Sequence, residues 1–253
     1  MSYNNKNTIF VLGNAPSMKP DYFNALKKIK YPTIGMNAAY RYWENINWFP
    51  TYYCCFDYAV TLSHSKKISS MILDKENPIK KFFLLERPTQ KSGLDSSKRY
   101  FSEAVRNSVK YVEKKHNKDF FGMSQDPDSG DHPIKYSSTG SGAVRVAIEL
   151  GFQNIFLLGI DANYPTQILN ESIKVTDWRL KLSKTPELNN NYFFNDYQQA
   201  GDLYHLPGNH LNTWIELKSD IKKYNVNLVN CSKNSKVTFF KYLSFEHCLE
   251  SLS

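Results

Sequence analysis

Polar or small residues follow five short apolar runs of this chain, each at the point where the run ends. They are Gly13-Asn14, Asn37, Asp57, Gly159-Ile160-Asp161 and Asn230-Cys231-Ser232. Asparagine and aspartate side chains, together with the open backbone at a glycine, can bind the hydroxyls, phosphate and base edge of a nucleotide. If the runs are parallel strands of one open α/β sheet, their carboxyl ends line a ligand-binding crevice. The pattern therefore predicts a nucleotide-using enzyme.

A hydroxyl-rich segment, Ser137-Ser138-Thr139-Gly140-Ser141-Gly142, precedes a stretch with helical spacing of apolar residues. Backbone N–H groups at a helix start, together with the helix dipole, form a site for phosphate or carboxylate. The same residues could instead act only as a helix N-cap, with one hydroxyl bonded to the first turn. We favour the anion site because the small residues extend beyond what a cap requires.

Two histidines flank a turn in Tyr204-His205-Leu206-Pro207-Gly208-Asn209-His210, just before a predicted helix. A neutral imidazole there can act as a general base near neutral pH. A capping or packed histidine is an equally good interpretation of His210 taken alone. Asp57 and Asp161 could bind a sugar hydroxyl or form a metal pair, but two carboxylates make a weak cation site, so we expect no metal.

The elements that must position these residues alternate between strand and helix. Apolar runs predict strands at Thr8–Leu12, Thr33–Met36, Tyr52–Phe56, Lys81–Leu85, Asn154–Gly159 and Val226–Val229. Helical spacing predicts helices over Asp21–Lys30, Ala143–Leu150 and Asn209–Tyr224. This alternation is typical of an α/β protein with a Rossmann-like, doubly wound, mainly parallel sheet. We expect a single domain over residues 8–253, with lid-like insertions near 86–136 and 165–205 forming a small subdomain.

Composition narrows the classes of partner. The chain has 253 residues, 41% of them hydrophobic, and a formal net charge of +8. This charge suits an anionic membrane or acidic glycan, whereas no nucleic-acid-binding motif accompanies it, so no nucleic-acid partner is expected. The four cysteines lack CxxC spacing, which predicts buried free thiols. Without an apolar leader or membrane-spanning run, we expect a cytoplasmic protein, with peripheral binding at the inner membrane face as an option.

Several segments together resemble the bacterial sialyltransferases of glycosyltransferase family 42. Val11–Ser17 is similar to the strand and turn that carry Gly-Asn-Gly-Pro-Ser in that family. Ser138–Gly140, Val146–Phe152 and Ile155–Asp161 look like its Ser/Thr-Gly turn, Ala-rich helix and strand ending in Gly-Ile-Asp. His210 matches the family's histidine before a helix. The likeness runs patchily from about residue 8 to 232, and motility-accessory glycosyltransferases and 6-hydroxymethylpterin diphosphokinases share the skeleton.

The resemblance implies a GT-A-like variant of the fold and a homo-oligomer. It also implies a metal-independent, inverting transfer from a CMP-activated sugar donor to a glycan acceptor, with no further cofactor. His210 would then deprotonate the acceptor hydroxyl. The donor site would comprise Asn14 and Asn37 at the nucleotide and its phosphate, Thr139 and Gly140 at the sugar acid or nucleotide, Gly159 and Asp161 at the cytidine, and the adjoining Ala15, Asp57 and Ala162.

The chain departs from the family pattern at three positions. Asp57 stands where the family has Asn, which adds a negative charge beside an anionic donor. The two tyrosines that bond the departing phosphate in the family fall here on Asn163 and Pro207. Tyr164 and Tyr204 are the predicted substitutes.

These departures leave other functions open. The donor could be another nucleotide sugar. The chain could also be an ATP- and Mg²⁺-dependent diphosphokinase-like phosphotransferase, with Asp57 and Asp161 as metal ligands. A third possibility is a non-catalytic nucleotide- or glycan-binding module.

Overall fold

The computed structural model describes residues 7–85, 101–112, 138–164, 172–176, 179–205 and 211–252. The strands are β1 (Thr8–Leu12), β2 (Thr33–Met36), β3 (Tyr52–Cys55), β4 (Lys81–Leu85), β5 (Lys110–Val112), β6 (Asn154–Leu158), β7 (Ser172–Thr176), β8 (Arg179–Leu182), β9 (Leu203–His205), β10 (Asn227–Asn230) and β11 (Lys241–Tyr242). The α-helices are α1 (Pro20–Ile29), α2 (Tyr40–Asn45), α3 (Tyr58–Leu73), α4 (Glu103–Ser108), α5 (Thr139–Glu149), α6 (Leu211–Lys223) and α7 (Phe245–Leu252).

Eight strands form one sheet in the order β11-β10-β6-β1-β2-β3-β4-β5. Every neighbouring pair in it is parallel. The chain builds outward from β1 through β2 to β5 and then returns to place β6 on the other side of β1. The strand order therefore reverses between β1 and β6, and ligands bind at this kind of switch point in open α/β sheets. The predicted doubly wound, mainly parallel α/β fold is confirmed.

Helices cover the central part of the sheet on both faces, which explains why β1 and β2 are buried along their whole length rather than alternating. All five residues of β1 are buried. Phe10 and Leu12 belong to a core with residues of α1, α2, α3 and α7, whereas Ile9 and Val11 belong to a core with residues of α5 and α6. Successive side chains of a strand point to opposite faces, so one five-residue strand supplies both cores.

The elements that were predicted differ from the observed ones mainly at their ends, whereas α2, α3, α4, α7, β5 and β11 were not predicted. β3 ends at Cys55 rather than Phe56, and β10 is shifted by one residue to Asn227–Asn230. The helix predicted to begin at Ala143 begins at Thr139, because the Ser138 hydroxyl accepts the Ser141 backbone N–H and caps it there.

A second, antiparallel sheet of order β7-β8-β9 lies within the predicted insertion 165–205. Much of the other insertion, 86–136, lies outside the described residues, so the division into one domain with two lids stays a prediction. All four cysteines are buried and free, as expected. In the described ranges, no helix has both the length and the apolar character needed to cross a bilayer.

Candidate functional site

The carboxyl ends of β1 and β6 touch at the switch point. The backbone N–H of Gly13 donates to the Leu158 carbonyl at 2.7 Å, and that of Ala15 donates to the Gly159 carbonyl at 3.0 Å. A Cβ atom on Gly13 would overlap the Gly159 carbonyl oxygen and lie 2.8 Å from its carbonyl carbon. Gly159 has φ +65°, a conformation that favours glycine. The two predicted glycines therefore close the strand ends together beside the crevice.

Asp161 lies next to this contact and binds the first loop. Its carboxylate accepts the Ser17 backbone N–H at 3.1 Å and also bonds the Ser17 hydroxyl. That hydroxyl is 3.0 Å from the Ser232 hydroxyl, which ties in the segment after β10. Both carboxylate oxygens of Asp161 thus hold the Ser17 loop, a function not foreseen from the sequence. The predicted cytidine contacts of Asp161 and of Ala162, which has φ +49°, stay predictions.

Asn14 and Asn37 lie at the ends of β1 and β2. The Asn14 amide donates to the Met36 carbonyl at 3.3 Å and to the Tyr197 hydroxyl at 3.0 Å. Asn37 has φ +54°, and its Oδ1 is buried without a hydrogen-bond partner among the described residues. A buried acceptor left unsatisfied costs about 1–3 kcal/mol, and a strained backbone is typical of functional sites. Asn37 is therefore the predicted site residue with the clearest structural sign of a ligand contact.

Asp57 pairs with a histidine to which the sequence pattern assigned no separate function. One carboxylate oxygen caps α3 by accepting the Val60 N–H at 3.1 Å. The same oxygen is 3.5 Å from Nε2 of His205, and both side chains are about one-third exposed. The imidazole of His205 therefore meets the carboxylate that Asp57 adds after β3. His205, which the sequence offered only as one of two histidines beside the turn, thus joins the candidate site through its contact with Asp57.

Four tyrosines, Tyr164, Tyr192, Tyr197 and Tyr204, form a group that we call the tyrosine cluster. Tyr192 and Tyr197 stack with ring centroids 3.7 Å apart. Desolvation raises the pKa of Tyr192 and Tyr197, and neighbouring tyrosine hydroxyls and Asp57 add to the effect. Although 39% of the Tyr164 side chain is exposed, protein around its hydroxyl and the charge of Asp57 raise its pKa to about 12. These hydroxyls are therefore protonated at neutral pH and can donate hydrogen bonds.

Two members of the cluster were predicted and two were missed. The sequence indicated Tyr164 and Tyr204; the Tyr204 hydroxyl bonds the Ser172 hydroxyl of β7. Tyr192 and Tyr197 lie in a segment dense in aromatic residues that was interpreted only as part of a lid. Aromatic density was the available signal, but nothing local indicates that this segment folds back onto Asn14.

The hydroxyl-rich turn is largely occupied by bonds inside the protein. Ser138 is the N-cap of α5, and the Thr139 hydroxyl accepts the Phe56 N–H at 3.3 Å, which ties α5 to the end of β3. A Cβ atom on Gly140 would lie 2.9 Å from the Trp214 ring of α6, so glycine allows the close approach of α5 and α6. The capping alternative therefore accounts for the side chains. Donor contacts of Thr139 and Gly140 stay predictions.

His210 lies outside the described residues, and its proposed function as a base stays a prediction. The next residue, Leu211, begins α6. That helix is fixed to α5 by the Arg145–Asp220 ion pair at 2.8 Å and by the Thr213 and Ser138 hydroxyls at 3.4 Å.

The arrangement offers donors and polar groups suited to an anionic nucleotide. Asn14, after β1, bonds the Met36 carbonyl at the end of β2 and the Tyr197 hydroxyl of the tyrosine cluster. The charge of Asp57, after β3, helps to raise the pKa of Tyr164 and Tyr192 in the same cluster. Among the described residues, no group of three or more His, Cys, Asp or Glu side chains could hold a metal ion.

A buried histidine lies behind this site. The Tyr40 hydroxyl is 2.6 Å from Nδ1 of His64, and Asp202 is 3.6 Å from its Nε2. Desolvation lowers the pKa of His64 to about 4; Asp202 opposes this shift, while Arg41 adds to it. The imidazole is therefore neutral at neutral pH.

We expect acid to destabilise the protein through His64. Between pH 6.5 and 4 the unfolded chain binds a proton there that the folded chain does not, so stability is lost as the pH falls. For folded and unfolded pKa values of about 4 and 6.5, the loss at pH 4 is about 3 kcal/mol. Urea unfolding from pH 8 to 4 should show this loss in the wild type and a flatter profile in His64→Gln. Parallel profiles would contradict the assignment.

The fold is similar to that of a solved sialyltransferase, Cst-I. The monofunctional alpha-2,3-sialyltransferase Cst-I from Campylobacter jejuni superposes with a TM-score of 0.55 at 18% identity, over 97% of this chain and 82% of that chain. The Campylobacter jejuni sialyltransferase CstII, in complex with cytidine-5'-monophosphate, gives 0.46 at 15% identity, over 98% and 86%. A MAf glycosyltransferase from Magnetospirillum magneticum AMB-1 gives 0.48 at 14%, over 94% and 34%.

No protein-family model and no curated protein sequence matches the chain. The structural likeness to Cst-I shows a shared fold, and it agrees at that level with the resemblance drawn from the motifs.

Proposed function

We propose that this protein is a glycosyltransferase, sialyltransferase-like, that transfers a sugar from a CMP-activated donor to a glycan hydroxyl with inversion and without a metal. The observation that carries the proposal is the strained Asn37, whose buried Oδ1 lacks a partner among the described residues, beside protonated tyrosines at a sheet switch point. The motif resemblance and the Cst-I-like fold support it.

The donor binds across the ends of β1, β2 and β6 in this proposal. Asn14 and Asn37 contact the nucleotide and its phosphate, and the backbone around Gly159 and Ala162 lines the base. The Tyr197 hydroxyl already accepts hydrogen bonds from the Asn14 amide and the Ala38 backbone. Both lone pairs are therefore used, and the hydroxyl can bind a ligand only by donating its proton in a hydrogen bond. A phosphate oxygen is a suitable acceptor for that proton.

The transfer step forms a bond between the acceptor oxygen and the anomeric carbon while the bond from that carbon to the CMP phosphate breaks. His210 takes the acceptor's proton, and the electron pair leaves on the phosphate. Hydrogen bonds from the predicted Tyr164 and Tyr204, and from Tyr197, stabilise this developing charge, as a metal ion does in other transferases. Support for metal independence comes from Asp161, whose carboxylate oxygens both bond Ser17.

A thermal-shift panel of CMP, CDP, UDP, GDP and ATP tests the donor assignment, because a ligand that binds the native state raises the unfolding temperature. We expect the largest rise with CMP, and turnover of a CMP-sugar that survives EDTA. A preference for ATP with turnover lost in EDTA would favour the phosphotransferase instead. Nucleotide binding without turnover of any nucleotide sugar would indicate a non-catalytic binding module.

The charge of +8 leads us to propose in addition that the protein associates with an anionic membrane at its cytoplasmic face, near a surface glycan acceptor. The homo-oligomeric state implied by the resemblance belongs to the same proposal.

A further inference from the structure

A largely buried ion pair contacts the backbone of Tyr197, a member of the tyrosine cluster. Arg41 of α2 contacts Asp202 through both terminal nitrogens, at 2.6 and 3.0 Å. The two side chains are only 16% and 12% exposed. Paired, two-pronged Arg–carboxylate contacts fix geometry as well as charge. We call this pair the Arg41–Asp202 clamp.

The clamp holds the chain that leads from the cluster to β9. Arg41 Nη1 also donates to the Tyr197 carbonyl at 2.8 Å. Asp202 accepts the Gln199 N–H at 2.8 Å, which closes the loop between Tyr197 and Asp202 on itself. Next to it, the Leu203 N–H donates to Ser63 of α3 at 3.0 Å. The position of Tyr197 relative to α2 is therefore set by charged hydrogen bonds to its own backbone.

The same tyrosine reaches the candidate donor site at its other end. Its hydroxyl bonds Asn14 at the end of β1, and the Phe193 N–H donates to the Asn14 carbonyl at 3.1 Å. Tyr192 stacks on the Tyr197 ring. A shift of the Tyr197 backbone would consequently move the hydroxyl away from Asn14 and disturb the stacked partner.

We infer that Arg41 and Asp202 are positioning residues that hold Tyr197, and through it Tyr192, against the donor-binding ends of β1 and β2. The inference rests on the proposed function for the identity of the ligand, a CMP phosphate. That the ion pair holds Tyr197 in place can be tested without any ligand. Removing one partner leaves the other charge buried and unpaired, which is the costly way to break such a pair. The chain around Tyr197 can relieve that cost by moving outward so that water reaches the charge.

The ligand-free test is hydrogen exchange at the Phe193 amide, which reports whether the segment stays on Asn14. We expect at least tenfold faster exchange in Asp202→Asn, measured far below the unfolding temperature. Glu44→Gln is the matched control, because Glu44 lies on the same helix and pairs with Lys67 of α3 at 2.5 Å on the exposed surface. Unchanged exchange in Asp202→Asn, or an equal rise in the control, would overturn the inference.

The ligand test is a double-mutant cycle on CMP affinity. We expect Asp202→Asn and Tyr197→Phe each to weaken CMP binding about tenfold, and the double variant to bind no more weakly than the weaker single variant, since both remove the same contact. A purely structural function for Asp202 would give multiplied losses instead. If Asp202→Asn does not fold, Arg41→Lys keeps the charge and loses the two-pronged contact, and it should show the same non-additivity.

The two proposals fail in different ways. If the wild type binds no CMP, the proposed function is wrong, while the exchange of Phe193 still decides whether the clamp holds the segment. If CMP binds and the Asp202→Asn and Tyr197→Phe losses multiply, the clamp is wrong and the proposed function stands.

Discussion

Replacing His210 by Ala should lower turnover of a CMP-sugar by about 10²- to 10⁴-fold, the usual contribution of a positioned general base. The affinity for CMP should change little, because the imidazole is proposed to act on the acceptor and not on the nucleotide. Steady-state kinetics at saturating acceptor, together with CMP titration calorimetry, separates the two effects. Turnover equal to that of the wild type would remove His210 from the base function.

His205→Ala is the matched comparison, because His205 lies five residues earlier and is 3.5 Å from Asp57. An imidazole oriented by a carboxylate is itself a reasonable base. We expect this variant to lose CMP affinity more than turnover at saturation, since Asp57 lies near Tyr164 and Tyr192 of the cluster that is proposed to bind the phosphate. A large loss of turnover in His205→Ala, with His210→Ala unaffected, would transfer the base function to His205.

Gly13→Ala should destabilise the protein by about 3 kcal/mol or more, which is the upper range for overpacking. The new methyl group would overlap the Gly159 carbonyl oxygen and lie 2.5 Å from the Ile160 side chain. Backbone on both sides leaves little room to relax, so the ends of β1 and β6 must separate. We expect CMP binding to be lost with the crevice they form. Urea unfolding measures the change in stability.

Gly151→Ala controls for replacing a glycine as such. Gly151 has φ +88° at the end of α5, and no heavy atom lies within 4 Å of the position that the added methyl group would take. Its substitution should cost only the left-handed backbone strain of about 1–2 kcal/mol and should leave CMP binding intact. Equal stability of the Gly13→Ala and Gly151→Ala variants would show that the strand ends are not in close contact.

The predicted strands were the most accurate part of the sequence interpretation. Thr8–Leu12, Thr33–Met36 and Lys81–Leu85 match the observed bounds. A strand buried on both faces needs an uninterrupted apolar run, and such a run can be recognised from a few consecutive residues. The small sheet β7-β8-β9 was missed because its short strands are polar and half-exposed, so they leave no such pattern.

Most of the candidate site also followed local rules. A parallel strand ends at the same edge as its neighbours, so Asn14, Asn37 and Asp57 could be placed together without knowing the packing. The hydrogen-bond partners of individual side-chain atoms could not be predicted in this way. Asp161 was predicted for the nucleotide, yet its oxygens bind Ser17, and the Thr139 hydroxyl binds Phe56. Which partner a polar group meets depends on contacts between segments far apart in the chain.

Local patterns of apolar and polar residues were enough to predict the α/β class, the strand ends that carry polar residues and the burial of the four thiols. Only the folded chain brings Tyr192, Tyr197 and His205 to the candidate site and pairs Arg41 with Asp202 across 161 positions. Such contacts leave no local pattern, because hydrogen bonds and ion pairs act over about 3 Å in space, whatever the separation of the residues along the chain.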